Sequence, residues 1–204
     1  MSLDAGYFDE LYDRRDDPWS LAERWYERRK RSLTMGILPK ERYASALEIG
    51  CSVGVLTEQL AQRCDHLLAT DIAQKPVSLT QQRLDSTEHR SDVDLRVMRA
   101  PAEWPQDRFD LVVLSEVGYY LDEGELALLG RQSASSLTPG GVVVACHWRH
   151  PVSDYPLRGD RVHEILIESS GLIPLGEYVD EDFRLAVLAP PGTPSVGTAE
   201  GLTS

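Results

Sequence analysis

The chain has 204 residues, 42% of them hydrophobic, so it can bury the core of one domain without disulfides or a structural metal. Its formal charge of -12 argues against a nucleic-acid substrate, because affinity for phosphates comes mainly from Lys and Arg. No run approaches the roughly 18 apolar residues of a membrane helix, and the acidic start is unlike a signal peptide, so we expect a cytoplasmic protein that binds no membrane.

An amphipathic helix is predicted near the N-terminus, over residues 19–37. Apolar side chains recur there at helical spacing, which predicts one buried face. They are Leu21, Trp25, Leu33 and Ile37. Before them, Pro18 lies in an Asp-Asp-Pro-Trp sequence that indicates a turn leading into the helix, because proline pre-sets the backbone for a first helical turn.

A basic run, Arg-Arg-Lys-Arg at residues 28–31, lies within this predicted helix. Clustered cations can bind nucleic acid, which is one interpretation of the run. However, Glu23 and Glu27 stand at helical spacing from the cations, as on a solvated helix face. We therefore expect the run to face solvent.

After Pro39, short apolar runs alternate with longer helical stretches, which is typical of a parallel sheet with crossover helices. Five parallel strands are predicted, at residues 46–49, 66–70, 95–98, 109–115 and 142–148. Helices are predicted at residues 55–63, 77–87, 123–137 and 161–169. Two further strands, at residues 172–178 and 183–188, are separated by a short acidic turn and are expected to pair as an antiparallel hairpin.

These elements divide the chain into three parts. Residues 1–39 are expected to form an N-terminal helical lid or cap, and residues 40–189 a ligand-binding domain. Residues 190–204 are rich in Pro, Gly, Thr and Ser and are expected to be disordered, because they offer little apolar area to bury.

The first predicted strand runs directly into a turn of small residues and then a helix. Gly50 and Gly54 permit a sharp turn and a close approach of backbone to a ligand, although they would also serve a purely structural turn. Asp71 ends the second strand, about 20 residues later, where an acid contacts ribose hydroxyls in nucleotide-binding sheets. Ser52 replaces the middle glycine of the dinucleotide pattern, and Glu48 repels phosphate but suits an ammonium group, so a nicotinamide dinucleotide is disfavoured.

This turn resembles the first motif of the class I S-adenosylmethionine (SAM)-dependent methyltransferases, an acid followed by alternating glycines. Glu48, Gly50, Ser52 and Gly54 stand at the motif positions, with Ser52 as a departure from glycine. The resemblance implies a Rossmann-like, doubly wound α/β sheet of seven strands. That sheet is mostly parallel, with a C-terminal antiparallel hairpin strand, and here it carries an added N-terminal helix.

Further motifs of the same family follow in order. Asp71 and Ile72 resemble the acid and apolar pair that hold ribose and adenine, and Ala102 and Glu103 resemble the segment at the adenine edge. Residues 109–115 resemble the fourth-strand motif. The resemblance thus implies a set of residues that bind SAM and its product S-adenosylhomocysteine (SAH). The set is Trp19, Glu48, Gly50, Cys51, Ser52, Gly54, Asp71, Ile72, Ala102, Glu103, Ser115 and Glu116.

A narrower similarity is carried by four segments, at residues 17–19, 26–27, 115–121 and 146–151. They look like the nodulation protein S group, small methyltransferases whose namesake N-methylates a partly deacetylated chitooligosaccharide. The resemblance implies methyl transfer to a small-molecule acceptor.

The acceptor is expected beyond the fourth and fifth strands, because ligands of open α/β sheets bind at the carboxyl ends of strands. Methyl transfer depends mainly on alignment, but an amine acceptor must also lose a proton, for which Glu116 and His147 are available. Tyr119 or Tyr120 can surround a sulfonium cation. We take Glu116, His147 and Tyr120 as candidate catalytic residues; helix capping by Glu116 and a core position for His147 are the alternatives.

The resulting hypothesis is a SAM-dependent methyltransferase whose acceptor is a small-molecule amine, such as an amino sugar. O-methylation of a small molecule is the second possibility, and an inactive SAM-binding partner subunit is an alternative of another class. Cys51, Cys64 and Cys146 lack metal-ligand spacing, so we expect no metal and three buried cysteines. We expect a monomer or homodimer.

Overall fold

Seven strands form one sheet in the computed structural model, which describes residues 1–88 and 91–202. They are β1 (Tyr43–Ile49), β2 (Cys64–Asp71), β3 (Asp92–Val97), β4 (Phe109–Ser115), β5 (Leu137–Trp148), β6 (Ile173–Val179) and β7 (Phe183–Ala189). The order across the sheet is β3-β2-β1-β4-β5-β7-β6. Strands β1 to β5 pair in parallel, whereas β7 is antiparallel to both β5 and β6. The predicted fold class and the C-terminal hairpin are therefore confirmed.

Helices cover both faces of this sheet. They are α1 (Ala5–Arg14), α2 (Trp25–Ile37), α3 (Val55–Leu60), α4 (Gln74–Asp85), α5 (Glu123–Ser135), α6 (Gly159–Ser170) and α7 (Val196–Ala199), with a 3-10 turn at Gly118–Tyr120. Side chains of α3 and α4 pack on one face, and those of α5 and α6 on the other. The central strands are accordingly apolar along their length, as in other sheets that are covered twice; Leu47 and Val112 are completely buried.

The N-terminal segment differs from the single helix predicted over residues 19–37. Helix α1 (Ala5–Arg14) was not predicted, and α2 begins only at Trp25. Asp17 explains the late start, because its carboxylate accepts hydrogen bonds from the backbone N–H groups of Leu21 and Ala22, at 2.9 and 3.0 Å. Such local bonds compete with helical ones. Residues 20–23 therefore form a turn.

The buried face of α2 is polar, and the basic run is solvated only in part: Arg28 is exposed, as predicted, whereas Lys30 and Arg31 are buried. Glu27, Lys30, Arg31 and Thr34 are buried, whereas Trp25, assigned to the apolar face, is 69% exposed. The charged side chains are buried because this face of α2 covers a cavity, described below. Buried charges need partners, and α2 obtains its partners from the sheet.

The C-terminal segment contains the single helical turn α7, whereas the sequence predicted no regular structure after Pro190. None of the described residues 190–202 is buried, as expected from their composition. Disorder of this segment in solution stays a prediction. Within residues 1–88 and 91–202, no helix is long and apolar enough to cross a membrane.

Candidate active site

A cavity of about 510 Å³ opens at the carboxyl ends of the parallel strands. Four strands contribute their last residues to its wall, namely Ile49, Asp71, Ser115 and Trp148. Its size is in the range of small-molecule sites. Most of the predicted site residues line it: Trp19, Glu48, Gly50, Cys51, Ser52, Asp71, Ile72, Ser115, Glu116 and Tyr120.

The turn after β1 has a backbone that few side chains allow. Gly50 and Gly54 have φ angles of +82° and +77°, and Ser52 has a positive φ as well. A Cβ atom at Gly50 would lie 2.3 Å from Val117, and one at Gly54 would lie 3.0 Å from Thr80. The positive φ angles and these contacts within the protein both favour glycine at the two positions, and Gly50 also lines the cavity. Gly54 does not line the cavity.

Asp71 closes this turn at the end of β2. Its two carboxylate oxygens accept hydrogen bonds from the backbone N–H groups of Ser52 and Ala73, at 3.0 and 3.2 Å. Burial raises the pKa of Asp71 to about 6 in spite of these bonds. A cationic or hydroxyl-bearing ligand in the cavity would favour the ionised form, so Asp71 is prepared to accept hydrogen bonds from a ligand.

Two further buried groups of opposite charge, Glu48 and Arg31, line the cavity. Burial raises the pKa of Glu48 to about 8, although a hydrogen bond from the Thr57 hydroxyl opposes this shift. Burial also lowers the pKa of Arg31, whose Nε has no hydrogen-bond partner among the described residues. The cavity wall therefore offers both an acidic and a basic side chain to a ligand.

A buried carboxylate–lysine network, consisting of Glu27, Lys30 and Glu116, lies on another wall of the cavity. Lys30 Nζ is 2.7 Å from Glu116 Oε1 and 3.1 Å from Glu27 Oε2. Burial by itself lowers the pKa of Lys30, but the carboxylates of Glu116 and Glu27 outweigh it and hold that pKa above its ordinary value. Lys30 therefore stays protonated, and the network carries one net negative charge.

Glu116 is held rigidly in this network. Its backbone has a φ of +60°, which non-glycine residues rarely adopt. Its Oε2 accepts hydrogen bonds from the Trp148 backbone N–H, at 3.1 Å, and from the Tyr119 hydroxyl. Backbone strain of this kind is common at functional sites. The expectation that Glu116 caps a following helix does not apply, because Asp122 caps α5.

His147 lies outside the cavity, contrary to its place among the candidate catalytic residues. The ring is completely buried, and its Nε2 accepts a hydrogen bond from the Gly118 backbone N–H at 3.1 Å. Its Nδ1 is 3.3 Å from Nε2 of His163. Burial, together with the charge of Lys30, lowers the pKa of His147 to about 3. A neutral, fully bonded core histidine has no access to an acceptor, so this geometry does not support the base role.

Ala102 and Glu103 also lie away from the cavity. Glu103 is exposed, and its carboxylate accepts a hydrogen bond from the Arg99 backbone N–H at 2.8 Å. The chain turns back at this point, so that the earlier residues Met98 and Ala100 reach the cavity wall in their place. In this segment the cavity wall is thus formed by Met98 and Ala100, and not by the predicted Ala102 and Glu103.

Comparison with known proteins identifies the family. Residues 9–139, more than half of the chain, match the family Nodulation protein S (NodS). The chain belongs to the NodS family. Nodulation protein S from Rhizobium tropici is 34% identical to this NodS-family chain over 131 residues, which are 63% of the chain and 54% of that relative. The chain thus spans about half the length of this relative, whereas the match to Nodulation protein S from Sinorhizobium fredii, 29% identical, covers 84% of the chain and 82% of that protein.

Two solved structures extend the comparison. The N-methyltransferase NodS from Bradyrhizobium japonicum, in complex with SAH, is 25% identical, with a TM-score of 0.80 and coverage of 92% of this chain and 98% of that one. A protein from Pseudomonas syringae is 41% identical, with a TM-score of 0.69 and coverage of 81% of this chain and 99% of that one.

Several residues of the NodS-family cavity were missed by the sequence analysis. Glu27, Lys30 and Arg31 on α2 and Tyr12 on α1 line it, yet none was predicted as a site residue. The one local signal is the spacing of Glu27 and Lys30, which are three residues apart on a helix and form an ion pair. That spacing also fits a solvated helix, so it does not by itself identify a buried site.

Proposed function

We propose that this chain is a SAM-dependent N-methyltransferase whose acceptor is a small-molecule amine, with amino sugars as the leading class. Membership of the NodS family and the likeness to an N-methyltransferase solved with SAH support the reaction class. The observation that carries the proposal is the cavity at the carboxyl ends of the parallel strands, whose wall includes the acidic side chains of Glu48 and Asp71.

The residues present fit the cofactor at each of its parts. The ammonium of its amino-acid end would lie against the carboxyl group of Glu48, and its carboxylate against the guanidinium of Arg31, since both side chains line the cavity. Asp71 would hold the ribose hydroxyls, and Ile72 and Met98 would contact adenine. When bound, SAM supplies a methyl group on a positively charged sulfur. The remaining task of the chain is to align the acceptor and exclude water, as a covered cavity can do.

An assay of methyl transfer from SAM to an amine acceptor tests the proposal. A glucosamine tetramer with free amines is incubated with SAM, and formation of SAH is measured. The matched acceptor is an N-acetylglucosamine tetramer, which lacks the nucleophilic amine. Methylation of the first alone is the expected result. Binding of SAH without transfer to any amine or hydroxyl acceptor would leave the chain as an inactive SAM-binding subunit.

Replacement of Asp71 by Asn is expected to weaken SAH binding about tenfold, because a charge-assisted hydrogen bond becomes a neutral one. Isothermal titration calorimetry at pH 8 measures the change. Asp107→Asn is the control, since Asp107 is exposed and does not line the cavity. An unchanged affinity in a folded Asp71→Asn variant would contradict contact between Asp71 and the ribose.

We further propose that residues 1–24 are the mobile part of the N-terminal lid and that α2 is its fixed part. Helix α1 reaches the turn after β1 through a 2.6 Å hydrogen bond between Tyr12 and Ser52, and Asp16 forms an exposed ion pair with Lys75. In contrast, α2 is bound to the sheet by an ion pair between the buried Lys30 and Glu116, which follows β4. Helix α1 also packs Phe8 and Tyr12 into a small apolar cluster, which is separate from the two large clusters of the sheet. A segment held by a small cluster opens more easily than one anchored in the main core.

Hydrogen exchange distinguishes a mobile N-terminal lid from an N-terminal segment that is packed permanently on the sheet. Amides of residues 7–25 are expected to exchange fast without ligand and to become protected when SAH is added, while amides of α2 stay protected throughout. Equal protection of residues 7–25 in both states would make α1 a permanent element. It would also remove Trp19 from the proposed SAM contacts.

We propose a cytoplasmic monomer or homodimer that binds no nucleic acid. The net charge of -12 supports the last point. Cys51, Cys64 and Cys146 are free and buried, as is usual for proteins of a reducing compartment.

A further inference from the structure

The two carboxylates that share Lys30 differ in how many of their hydrogen-bonding positions are occupied. Glu116 accepts from Lys30 on one oxygen and from both Tyr119 and Trp148 on the other. Glu27 accepts only from Lys30 among the described residues, with both of its oxygens 3.1 to 3.2 Å from the same Nζ. A carboxylate has about four lone-pair positions, so Glu27 keeps the greater capacity to accept a further donor.

Glu27 also stands where an acceptor would lie. It lines the same cavity as Glu116 and Trp148, which follow or end the fourth and fifth strands, and it is only 8% exposed. The network of Glu27, Lys30 and Glu116 has one negative charge more than it has positive charges. An ammonium group placed against Glu27 would balance that charge, and the buried setting makes the pairing favourable.

We infer that Glu27 is the catalytic base that takes the proton from the acceptor amine, an assignment that rests on the proposed N-methylation. The acceptor enters as R–NH3⁺ and gives one proton to the Glu27 carboxylate, which leaves R–NH2 and a neutral carboxylic acid. The nitrogen lone pair forms the N–C bond to the methyl group, and the electrons of the broken C–S bond stay on sulfur. Glu27 then returns its proton to solvent.

The surroundings of Glu27 suit this role. Burial raises its pKa, and the nearby Glu116 raises it further, whereas Lys30 and Arg31 lower it, with a net shift upward. A carboxylate with a raised pKa is the stronger proton acceptor near neutral pH. His147 is neutral and completely buried in the core. Glu116 already accepts hydrogen bonds from three donors. Neither residue therefore competes with Glu27 for the proton of the acceptor amine.

The decisive variant is Glu27→Gln, which keeps the shape and a hydrogen-bonding group but cannot take a proton. With SAM and the glucosamine tetramer, kcat is expected to fall about 100-fold, while the Kd for SAH stays within about twofold of the wild-type value. Glu23→Gln is the matched control, since Glu23 is exposed near the start of the same helix and does not line the cavity. It is expected to behave as wild type.

The pH profile separates a base from a structural residue. In the wild-type protein, kcat/KM should fall as the pH drops through the raised pKa of Glu27, because only the carboxylate form accepts a proton. In Glu27→Gln this limb should be replaced by one at higher pH, where the acceptor amine loses its own proton, so that kcat/KM follows the free-amine fraction. Formate should partly restore the kcat of Glu27→Ala by replacing the missing carboxylate.

Three outcomes would overturn the assignment. If Glu27→Gln keeps kcat within threefold of wild type and retains the acid limb, Glu27 is not the base, and the proposed function is unaffected. If the wild-type protein binds SAH but methylates no amine, the proposed N-methylation fails, and the role of Glu27 fails with it. A decrease in kcat without any change in the pH profile and without formate rescue would make Glu27 a structural partner of Lys30 only.

Discussion

Replacement of Lys30 by Met is expected to lower the free energy of unfolding by about 3 to 5 kcal/mol, the usual effect of removing one partner from a buried ion pair. Lys30 is 5% exposed and is the only cation within salt-bridge distance of Glu27 and Glu116 among the described residues. Without it, two carboxylates remain close together in the low-dielectric cavity wall. Chemical denaturation monitored by circular dichroism measures the loss.

The control for this prediction is Lys40→Met. Lys40 is 38% exposed and lies 3.8 Å from Asp110, so it forms a surface pair whose removal should cost about 0 to 1 kcal/mol. A similar loss of unfolding free energy in both variants would show that the buried ion pairs of Lys30 stabilise the fold no more than a surface pair does. It would also contradict the proposal that α2 is the fixed part of the lid.

The loss in Lys30→Met should depend on pH, and the sign follows from linkage. Lys30 lowers the pKa of Glu27, so its removal raises the folded-state pKa of that carboxyl further above the unfolded value. A raised carboxyl pKa means that the folded protein binds the proton more tightly, and its stability is recovered as the pH falls. The difference between variant and wild type should therefore shrink between pH 8 and pH 5.

The sheet and the turn after β1 were predictable because their signals are local. Strands β1, β2, β4, β5 and β7 each contain an apolar run, and the spacing from Gly50 to Asp71 reflects one strand–helix–strand unit. Helix α1 also has a local signal that the prediction did not use. Asp4 caps it, and Phe8 and Tyr12, four residues apart, form its buried face.

The polar half of the cavity was not predictable in the same way. Lys30 meets Glu116 across 86 residues of sequence, and a charge pattern on one helix does not reveal a partner at such a distance. His147 has the same difficulty, because strand alternation leaves open whether it faces a cavity or a helix. Its neighbour His163 on α6 decides that question only in three dimensions.

The affinity for SAH is expected to rise roughly tenfold per pH unit below pH 8, on the order of 50-fold between pH 6 and pH 8, because the ionised fraction of a carboxyl changes tenfold per unit below its pKa. Burial raises the pKa of Glu48 to about 8 in the free protein, yet only its carboxylate form can accept hydrogen bonds from an ammonium. Binding must therefore displace the proton that Glu48 holds, and that cost disappears as the pH rises through 8.

Calorimetry across this pH range provides the test, with two variants that separate the titrating groups. Glu48→Gln should bind SAH more weakly at pH 8 and should lose the dependence on pH, because an amide does not ionise. Asp71→Asn should keep the slope, since the pKa of Asp71, about 6, lies at the lower end of the range. An affinity that is independent of pH in the wild-type protein would mean that Glu48 does not meet the ammonium. The Thr57 hydroxyl would then be the hydrogen-bonding partner of Glu48, and the ammonium would bind elsewhere in the cavity.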